Sequence, residues 1–336
     1  MVYILDDEAL RVAVVGMGKM GLLHAGLLNV LPGARLVAVC EKNRLMRRFL
    51  ARMLRNVHVV DDVYALEDMD LDAVYVTTPI YAHYVVAHAV AGQKLARHMF
   101  VEKPLTACYS DSRRLSEEAH VLGGVNMVGY LRRFMVTFMH AKKLLDRDAV
   151  GRVEAFKVEA YSSDFHDVAG KAVKANSGVL AELGSYAVDV ARWYFGDFIV
   201  ESAFVESRLN MGVEDAASFR LKSVKHQLTG EFQVSWCVPG YRLPQVTVKI
   251  KGSRGTLEVD DDEVRVEKQD GEAKVWYRPD LHDTVDYWLG APEYCREDAY
   301  FLHAAKTGET ATPNFDEAAE VDKLLEEIRH KAREPS

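Results

Sequence analysis

A lysine and a glycine-rich turn are the residues of this chain whose types and order could do chemistry together. Lys103 stands in a Glu-Lys-Pro motif directly after an apolar run, and the turn from Gly16 to Gly21 (GMGKMG) follows an earlier apolar run. A turn of this form can hold a dinucleotide, and a lysine at the end of a neighbouring strand can act on what lies beside it. Together, in this order, the two motifs predict a nicotinamide oxidoreductase.

The glycine positions each have a separate physical task. In a strand–turn–helix unit the first glycine permits the tight turn, the second lets the backbone approach a pyrophosphate, and the third lets helix and strand pack closely. The helix N-terminus then offers amide donors and the positive end of its dipole to the phosphates. We therefore predict dinucleotide contacts from Gly16, Gly18, Lys19, Met20 and Gly21.

An acidic residue after the second strand pattern bears on the choice of cofactor. Glu41 can accept hydrogen bonds from ribose hydroxyls and would repel a 2′-phosphate, which favours NAD(H) over NADP(H). Lys42 and Arg44 follow it and could offset that repulsion, so NADP(H) stays open. Lys42 joins Glu41 in the predicted cofactor-binding set. Further members at the same edge of the sheet are Thr77, Thr78, Pro79, His83 and Glu102.

The pattern of elements predicts an α/β fold in two parts. Strand patterns alternate with helix patterns at first, which is typical of a doubly wound parallel sheet, a Rossmann domain. These strand patterns cover residues 11–15, 35–40, 72–77, 99–102 and 125–128. Later strand patterns are separated by turns and favour a large, mainly antiparallel open sheet in an α+β domain. They cover residues 153–161, 198–208, 216–222, 227–235, 245–251, 256–259 and 263–267.

We accordingly predict a dinucleotide-binding domain at residues 1–128 and a substrate-binding and oligomerisation domain at residues 129–336. The C-terminal helix could pack back on the first domain.

Composition narrows the function classes. The 336 residues carry a formal net charge of −8 and contain no basic tract, which argues against a nucleic-acid partner. The four cysteines form no CxxC pair, no His, Cys and Asp spacing resembles a metal site, and no apolar run is long enough to span a bilayer. An acidic N-terminal stretch is wrong for a signal peptide. We expect a cytoplasmic protein without metal or membrane partner.

Motifs in order over nearly the whole chain resemble the glucose–fructose oxidoreductase / inositol dehydrogenase / MocA (Gfo/Idh/MocA) family. The motifs are VAVVGMGKMGLLHAGLL, VTTPIYAH, VEKP, GYLRRF, GRVEAF, GVLAELGSYAVDVARWYFG, KGSRGTLEVDDDEVRV and YCREDAYFLHAAKTG. The resemblance implies NAD(P)-dependent hydride transfer to or from a hydroxyl-bearing carbon of a sugar, cyclitol or related polyol. It also implies homodimers or homotetramers built on the second domain's sheet.

The resemblance further implies that Lys103 is catalytic and that the segment 178–196 carries the acid/base. Family members usually have an aspartate there and a histidine four residues later, whereas this chain has Glu182 and Tyr186. Tyrosine resembles the glucose–fructose oxidoreductase and dihydrodiol dehydrogenase branches, and glutamate is a departure from the pattern. On a helix these two positions share one face. Asp189, one turn further on, is expected to support the helix.

The chemistry is consistent with a tyrosine. Free tyrosine is a poor base at neutral pH because its pKa is near 10, but a nearby ammonium stabilises phenolate. Lys103 can supply that ammonium, and Glu182 can orient it or bind a substrate hydroxyl. His166, in a polar loop, is the rival base.

Substrate contacts are predicted from Arg132, Arg133, His166 and Glu182. Two other functions of this fold stay open, a glycosidase that uses NAD for transient oxidation and a dinucleotide-binding sensor without turnover.

Overall fold

The chain folds as two compact units. The computed structural model describes residues 9–163, 178–283 and 292–334. The first unit contains residues 9–129 and 292–319, and the second contains residues 130–163, 178–283 and 320–334. Each unit is built around its own sheet.

The first unit contains a six-stranded sheet in which every strand pair is parallel. Its spatial order is β3-β2-β1-β4-β5-β6. The strands are β1 (Leu10–Val15), β2 (Ala34–Cys40), β3 (His58–Val60), β4 (Leu71–Val76), β5 (Ala96–Glu102) and β6 (Asn126–Gly129). Most of β1, β4 and β5 is a run of buried residues, as expected of strands covered on both faces. In this order the direction of winding reverses between β1 and β4, where such sheets bind dinucleotides at the carboxyl ends of the strands.

Helices connect these strands and include one from late in the chain. They are α1 (Lys19–Leu28), α2 (Arg44–Met53), α3 (Ile80–Gly92), α4 (Tyr109–Leu122) and α7 (Pro292–Thr307). Helix α7 contacts α1 within the first unit. Asn43 caps α2 by accepting the N–H groups of Leu45 and Met46 at 2.9 and 3.1 Å. Helix α7, although late in the chain, therefore packs within the first unit.

The second unit contains an eight-stranded sheet in the order β14-β13-β12-β11-β7-β10-β9-β8. The strands are β7 (Val153–Tyr161), β8 (Phe198–Glu206), β9 (Ala216–Ser223), β10 (Thr229–Ser235), β11 (Gln245–Gly252), β12 (Gly255–Val259), β13 (Glu263–Lys268) and β14 (Ala273–Tyr277). The pair β7–β10 is parallel and the other pairs are antiparallel. The mainly antiparallel sheet is therefore confirmed.

One face of this second sheet is apolar and the other is polar. Along β9, Phe219 and Leu221 are buried whereas Arg220 and Lys222 are exposed, which is the alternation of a half-covered sheet. The helices α5 (Val136–Asp146) and α6 (Ser185–Phe195) pack against its strands, and α8 (Phe315–Lys331) follows late in the chain. Lys249 on the polar face lies 3.3 Å from a Glu159 oxygen and 3.6 Å from a Glu258 oxygen.

The sequence patterns did not predict two of the strands. Strand β3 is three residues long and lies at the edge of the first sheet, and β14 lies at the edge of the second with all its residues at least partly exposed. Strand β3 is too short to show a pattern, and β14 has the strand-forming sequence Val275-Trp276-Tyr277 but no alternation of buried and exposed residues. Within the part of the chain that the structure describes, no helix combines the length and apolar character needed to cross a membrane.

Candidate dinucleotide-binding and catalytic sites

The glycine turn packs so tightly that two of its glycines have no room for a side chain. Gly16 has φ +95°, and a Cβ there would lie 2.8 Å from the backbone of Thr78. A Cβ on Gly21 would lie 1.9 Å from the carbonyl oxygen of Gly16. A side chain on Gly21 would force α1 away from the end of β1, and one on Gly16 would overlap the residue that follows β4, so both glycines are required by the protein's own packing.

Gly18 is different, because a Cβ there would meet no protein atom within 4 Å. It is exposed and forms the N-cap of α1, and no side chain caps this helix end. The amides of Lys19 and Met20 belong to the first turn and point toward the N-terminal end, where an anion is favoured. The open space at Gly18 and the uncapped helix end fit a dinucleotide pyrophosphate.

Glu41 is held against the glycine turn by two backbone donors. One carboxylate oxygen accepts the N–H of Met17 at 2.9 Å and the other accepts the N–H of Asn43 at 2.6 Å. Lys42 is exposed beside it, and Arg47 donates to the carbonyls of both Glu41 and Lys42 at 2.9 and 2.7 Å. The carboxylate of Glu41 therefore has a fixed place at the carboxyl end of β2, where a ribose would bind.

The residues after β4 join the ends of two neighbouring strands. The Thr77 hydroxyl lies 2.7 Å from the carbonyl oxygen of Gly16 and 3.1 Å from that of Val15. The hydroxyl of Thr78 is buried with no hydrogen-bond partner among the described residues, and Pro79 is the N-cap of α3. An unpartnered buried hydroxyl beside the glycine turn also fits a polar ligand.

Lys103 follows β5 at the same edge of the sheet, because Val101 pairs in parallel with Val76 and Val76 pairs with Val15. The Lys103 N–H donates to its neighbour's carboxylate, the Glu102 Oε2, at 3.1 Å. The structure therefore brings the Glu-Lys-Pro motif and the glycine turn to one edge, as the sequence predicts.

Two buried histidines flank this segment. His83 has its Nδ1 2.9 Å from the Pro104 carbonyl oxygen and its Nε2 2.7 Å from that of Thr78. Burial lowers the pKa of His83, although both carbonyls oppose that effect. His24 lies between two carboxylates, with Nδ1 2.8 Å from Asp298 and Nε2 3.1 Å from Glu102. These contacts give His83 and Glu102, both predicted to bind cofactor, partners within the protein.

Glu297 is a buried carboxyl group next to Asp298 in α7. It is 0% exposed, and neither of its oxygens has a hydrogen-bond partner among the described residues. Burial, reinforced by the charge of Glu102, raises the pKa of Glu297 well above its ordinary value. Burial therefore favours the protonated form of this carboxyl in the folded protein.

In the second unit Glu182 and Tyr186 share an unusual stretch of helix. Glu182 lies in a π-helical turn (Leu180–Gly184), a feature frequent at functional sites, and Tyr186 lies in the first turn of α6. From residue 178 to residue 191 every side chain is buried except these two, which are half-buried. Both predicted residues therefore keep some access to solvent while the rest of the stretch belongs to the core.

The predicted substrate-binding arginines are both buried in the second unit. Arg132 donates to the Pro244 carbonyl at 2.9 Å and to Asp261 at 3.1 Å, and its guanidinium carbon lies 4.4 Å from the centre of the Tyr186 ring. The Arg133 guanidinium donates through Nη2 and Nε to the Asp189 carboxylate at 2.7 and 3.1 Å. Asp189 thus anchors α6, and direct substrate binding by either arginine stays a prediction.

His166 lies outside the described residues. Among the described residues there is no group of three or more His, Cys, Asp or Glu side chains arranged to hold a metal ion. The contact that sequence reasoning missed is His24–Asp298. The VAVVGMGKMGLLHAGLL motif contains His24, but nothing in the sequence indicates its partner.

Family models match both units. Residues 10–130 match the model of an oxidoreductase family with an NAD-binding Rossmann fold, and residues 138–258 match the Gfo/Idh/MocA C-terminal domain. The first unit is therefore an NAD-binding domain of an oxidoreductase. The chain belongs to the Gfo/Idh/MocA family.

Curated relatives and solved structures agree with this membership. The chain is 30% identical to scyllo-inositol 2-dehydrogenase (NAD(+)) of Bacillus subtilis (strain 168) over 56% of its length and 55% of the relative, so it spans about half of that protein. It is 24% identical to inositol 2-dehydrogenase of Rhizobium meliloti (strain 1021) over 90% of the chain and 91% of the relative. The structure of a levoglucosan dehydrogenase complex with NADH and levoglucosan shares the fold, with TM-score 0.87, 21% identity and coverage of 96% and 97%.

The contrast between Gly18 and Gly21 gives a first prediction. Gly18→Ala should lower stability by only about 1 kcal/mol or less, because its Cβ meets no protein atom and the only loss is that of a better N-cap residue. It should weaken NADH binding about tenfold or more, because the methyl group occupies the pyrophosphate's approach. Fluorescence titration with NADH and thermal unfolding measure the two effects.

Gly21→Ala is the matched control. It should lower stability by about 2 kcal/mol or more, because its Cβ overlaps the Gly16 carbonyl. If Gly18→Ala binds NADH as tightly as the unchanged protein does, the turn is not the phosphate site.

A second prediction concerns Glu297. Its pKa in the folded chain lies above the unfolded value of about 4.5, so the folded protein keeps a proton that the unfolded chain loses. Its contribution to stability is fully present below that value and is lost as pH rises through the folded-state pKa. Glu297→Gln should therefore stabilise the protein, by about 1 kcal/mol or more, and the gain should be larger near pH 8 than near pH 5.

Urea unfolding at both pH values measures the gain, with the exposed Glu67→Gln as control. A gain from Glu297→Gln that does not change with pH would show that this carboxyl ionises alike in both states.

Proposed function

We propose that this protein transfers a hydride between the nicotinamide of NAD(H) and a hydroxyl- or carbonyl-bearing carbon of a sugar, cyclitol or related polyol. The observation that carries the proposal is the meeting of Lys103 and the glycine turn at one edge of the parallel sheet. The match to inositol 2-dehydrogenases supports a cyclitol or sugar as the substrate class.

Residues of the first unit would hold the cofactor. The amides at the N-terminus of α1 would take the pyrophosphate at Gly18, and Glu41 would accept the ribose hydroxyls. When bound, the nicotinamide supplies the acceptor or donor of the hydride. Because Glu41 brings negative charge to the ribose position, we propose NAD(H) as the preferred cofactor, with Lys42 opposing that preference.

Charged and phenolic side chains of Lys103, Tyr186 and Glu182 would carry the catalytic roles. The Lys103 ammonium would polarise the substrate oxygen and stabilise charge that develops on it. The Tyr186 hydroxyl would exchange the proton of that oxygen, acting as base in oxidation and as acid in reduction. Glu182 is half-buried and lies four residues before Tyr186. It would bind a neighbouring hydroxyl of the substrate or orient Lys103. In the second unit the Arg132 guanidinium over the Tyr186 ring adds a cation beside the phenol.

The assembly and location form part of the same proposal. We propose a homodimer or homotetramer joined through the polar face of the second sheet. Two large apolar residues of β8, Ile199 and Phe204, are 53% and 60% exposed in the single chain, and an interface there would cover them. A reducing, cytoplasmic setting is supported by cysteines that are all unpaired: Cys40, Cys108, Cys237 and Cys295.

Lys103→Ala should retain NADH binding and lose kcat by roughly 10²-fold or more, because the substrate oxygen loses its positive partner. The assay follows NADH absorbance with a panel of inositols, aldoses and anhydro sugars. The exposed Lys143→Ala, on helix α5, is the control and should behave as the unchanged protein does. Near-normal kcat in Lys103→Ala would remove Lys103 from the chemistry. Substrate cleavage without net NADH would favour the glycosidase.

Tyr186→Phe should depress kcat by about 10²-fold or more while folding and NADH binding survive. Phenylalanine keeps the ring beneath Arg132, so the loss reports on the hydroxyl alone. The comparison variant is His166→Ala. An active Tyr186→Phe together with an inactive His166→Ala would transfer the acid/base role to the histidine.

The ratio of kcat/KM for NAD⁺ over NADP⁺ should exceed one and should fall about tenfold in Glu41→Gln, because the variant keeps the shape but loses the repulsion of a 2′-phosphate. Lys42→Gln should shift the ratio the other way. A preference for NADP⁺ in the unchanged protein would mean that Lys42 and Arg44 outweigh the carboxylate.

A further inference from the structure

A buried histidine lies directly behind the segment that carries Lys103. The side chain of His24 is 0% exposed, and its Nδ1 lies 2.8 and 3.0 Å from the two Asp298 oxygens. On its other side its Nε2 lies 3.1 Å from Glu102 Oε1. The rings of Tyr75 and Phe100 pack on it with centroids 5.5 and 5.1 Å away. The imidazole is therefore held by polar contacts at both nitrogens and by aromatic packing around it.

Glu102 connects this histidine to the catalytic segment. While Oε1 faces His24, Oε2 accepts the backbone N–H of Lys103 at 3.1 Å. Because both carboxylate oxygens are engaged, the Glu102 side chain cannot rotate without losing one contact. The imidazole of His24 therefore acts, through one carboxylate, on the orientation of the peptide group that leads into Lys103.

The other neighbour of Lys103 lies beside a second buried histidine, whose neutral ring carries one N–H and can donate to only one of two carbonyl oxygens. The carbonyl oxygen of Pro104 lies 2.9 Å from His83 Nδ1, and the opposite nitrogen of that ring lies 2.7 Å from the Thr78 carbonyl. The Lys103 backbone thus has buried polar contacts on both sides, and the contact on the Glu102 side continues to Asp298.

The energetics of this cluster indicate a role other than stability. Burial alone would lower the pKa of His24, but the charge and hydrogen bond of Asp298 and those of Glu102 raise it well above its ordinary value. The two carboxylates therefore favour the protonated imidazole, in which both nitrogens donate. Burying two carboxylates with one imidazolium costs free energy that an apolar cluster of the same volume would not. Directed hydrogen bonds are what this cluster supplies and apolar packing cannot.

We propose that His24, held by Asp298, is a positioning residue that acts through Glu102 to fix the Lys103 backbone and so the direction of its ammonium group. This inference rests on the proposed catalytic role of Lys103. Misplacing a catalytic group by about 1 Å can cost on the order of 10²-fold in rate, so the expected effect is on kcat rather than on cofactor binding.

The test is His24→Gln, whose amide can reach only one of the two carboxylates. Its kcat should fall about tenfold or more, while the NADH dissociation constant and the substrate KM stay within about twofold of the unchanged protein. Glu297→Gln is the matched control, since Glu297 is equally buried beside Asp298 but makes no hydrogen bond to His24, and its kcat should be unchanged. A normal kcat in His24→Gln, or a parallel loss of NADH binding, would overturn the proposal.

A double variant separates positioning from general damage. If His24 acts only through Lys103, then His24→Gln combined with Lys103→Ala should be no slower than Lys103→Ala alone. A further tenfold loss in the double variant would assign His24 a structural role and sink the inference. Should Lys103→Ala itself keep its kcat, the proposed function of Lys103 fails first, and the two failures are thereby distinguished.

Should His24→Gln not fold, Asp298→Asn replaces it. The asparagine keeps an acceptor for Nδ1 but removes the charge, so kcat should fall by at least about threefold with NADH binding unchanged. Normal kcat in Asp298→Asn would then overturn the proposal.

Discussion

The close approach of helix α1 to strand β1 is the constraint on which the nucleotide-binding half depends. The Gly16 carbonyl occupies the space where a Cβ of Gly21 would lie, so the helix begins almost on top of the strand end. This approach exposes the uncapped amides at Gly18 on the same edge as the ends of β4 and β5. The Thr77 hydroxyl donates across to the turn, and Glu41 is fixed there by the Met17 N–H. Contacts within the protein thus hold these groups in place, which lowers the entropic cost of binding a ligand.

Buried charge extends this organisation from the cofactor edge into the last third of the chain. Asp298 on helix α7 contacts His24, and His24 contacts Glu102. The Glu102 carboxylate in turn accepts the backbone N–H of Lys103. In the second unit the Arg133–Asp189 pair similarly fixes α6 and with it Tyr186. In both units a buried ion pair, which contributes little net stability, lies next to a residue assigned to chemistry. Orientation of the two groups proposed for catalysis would be the common consequence.

The sequence indicates local features well and distant contacts poorly. The glycine turn, the buried runs of β1, β4 and β5, and the mainly antiparallel second sheet follow from patterns of a few residues, and the fold class is confirmed. The sequence did not predict strands β3 and β14. The first is only three residues long, and the second is an edge strand whose residues are all at least partly exposed. His24 and Asp298 are 274 residues apart, so no local rule could pair them. Arg132 and Arg133 follow β6, and the sequence does not indicate that both are buried in ion pairs with residues far along the chain.

The most direct measurement follows the hydride itself. Protein incubated with NADH that carries two deuterium atoms at C4, so that transfer from either face is labelled, and a panel of inososes and keto sugars should yield an alcohol that carries deuterium on the former carbonyl carbon, detected by mass spectrometry and NMR. The same experiment with Lys103→Ala should yield almost none. The account is contradicted if the protein binds NADH yet no product carries deuterium, or if a sugar is converted while the deuterium stays on the cofactor.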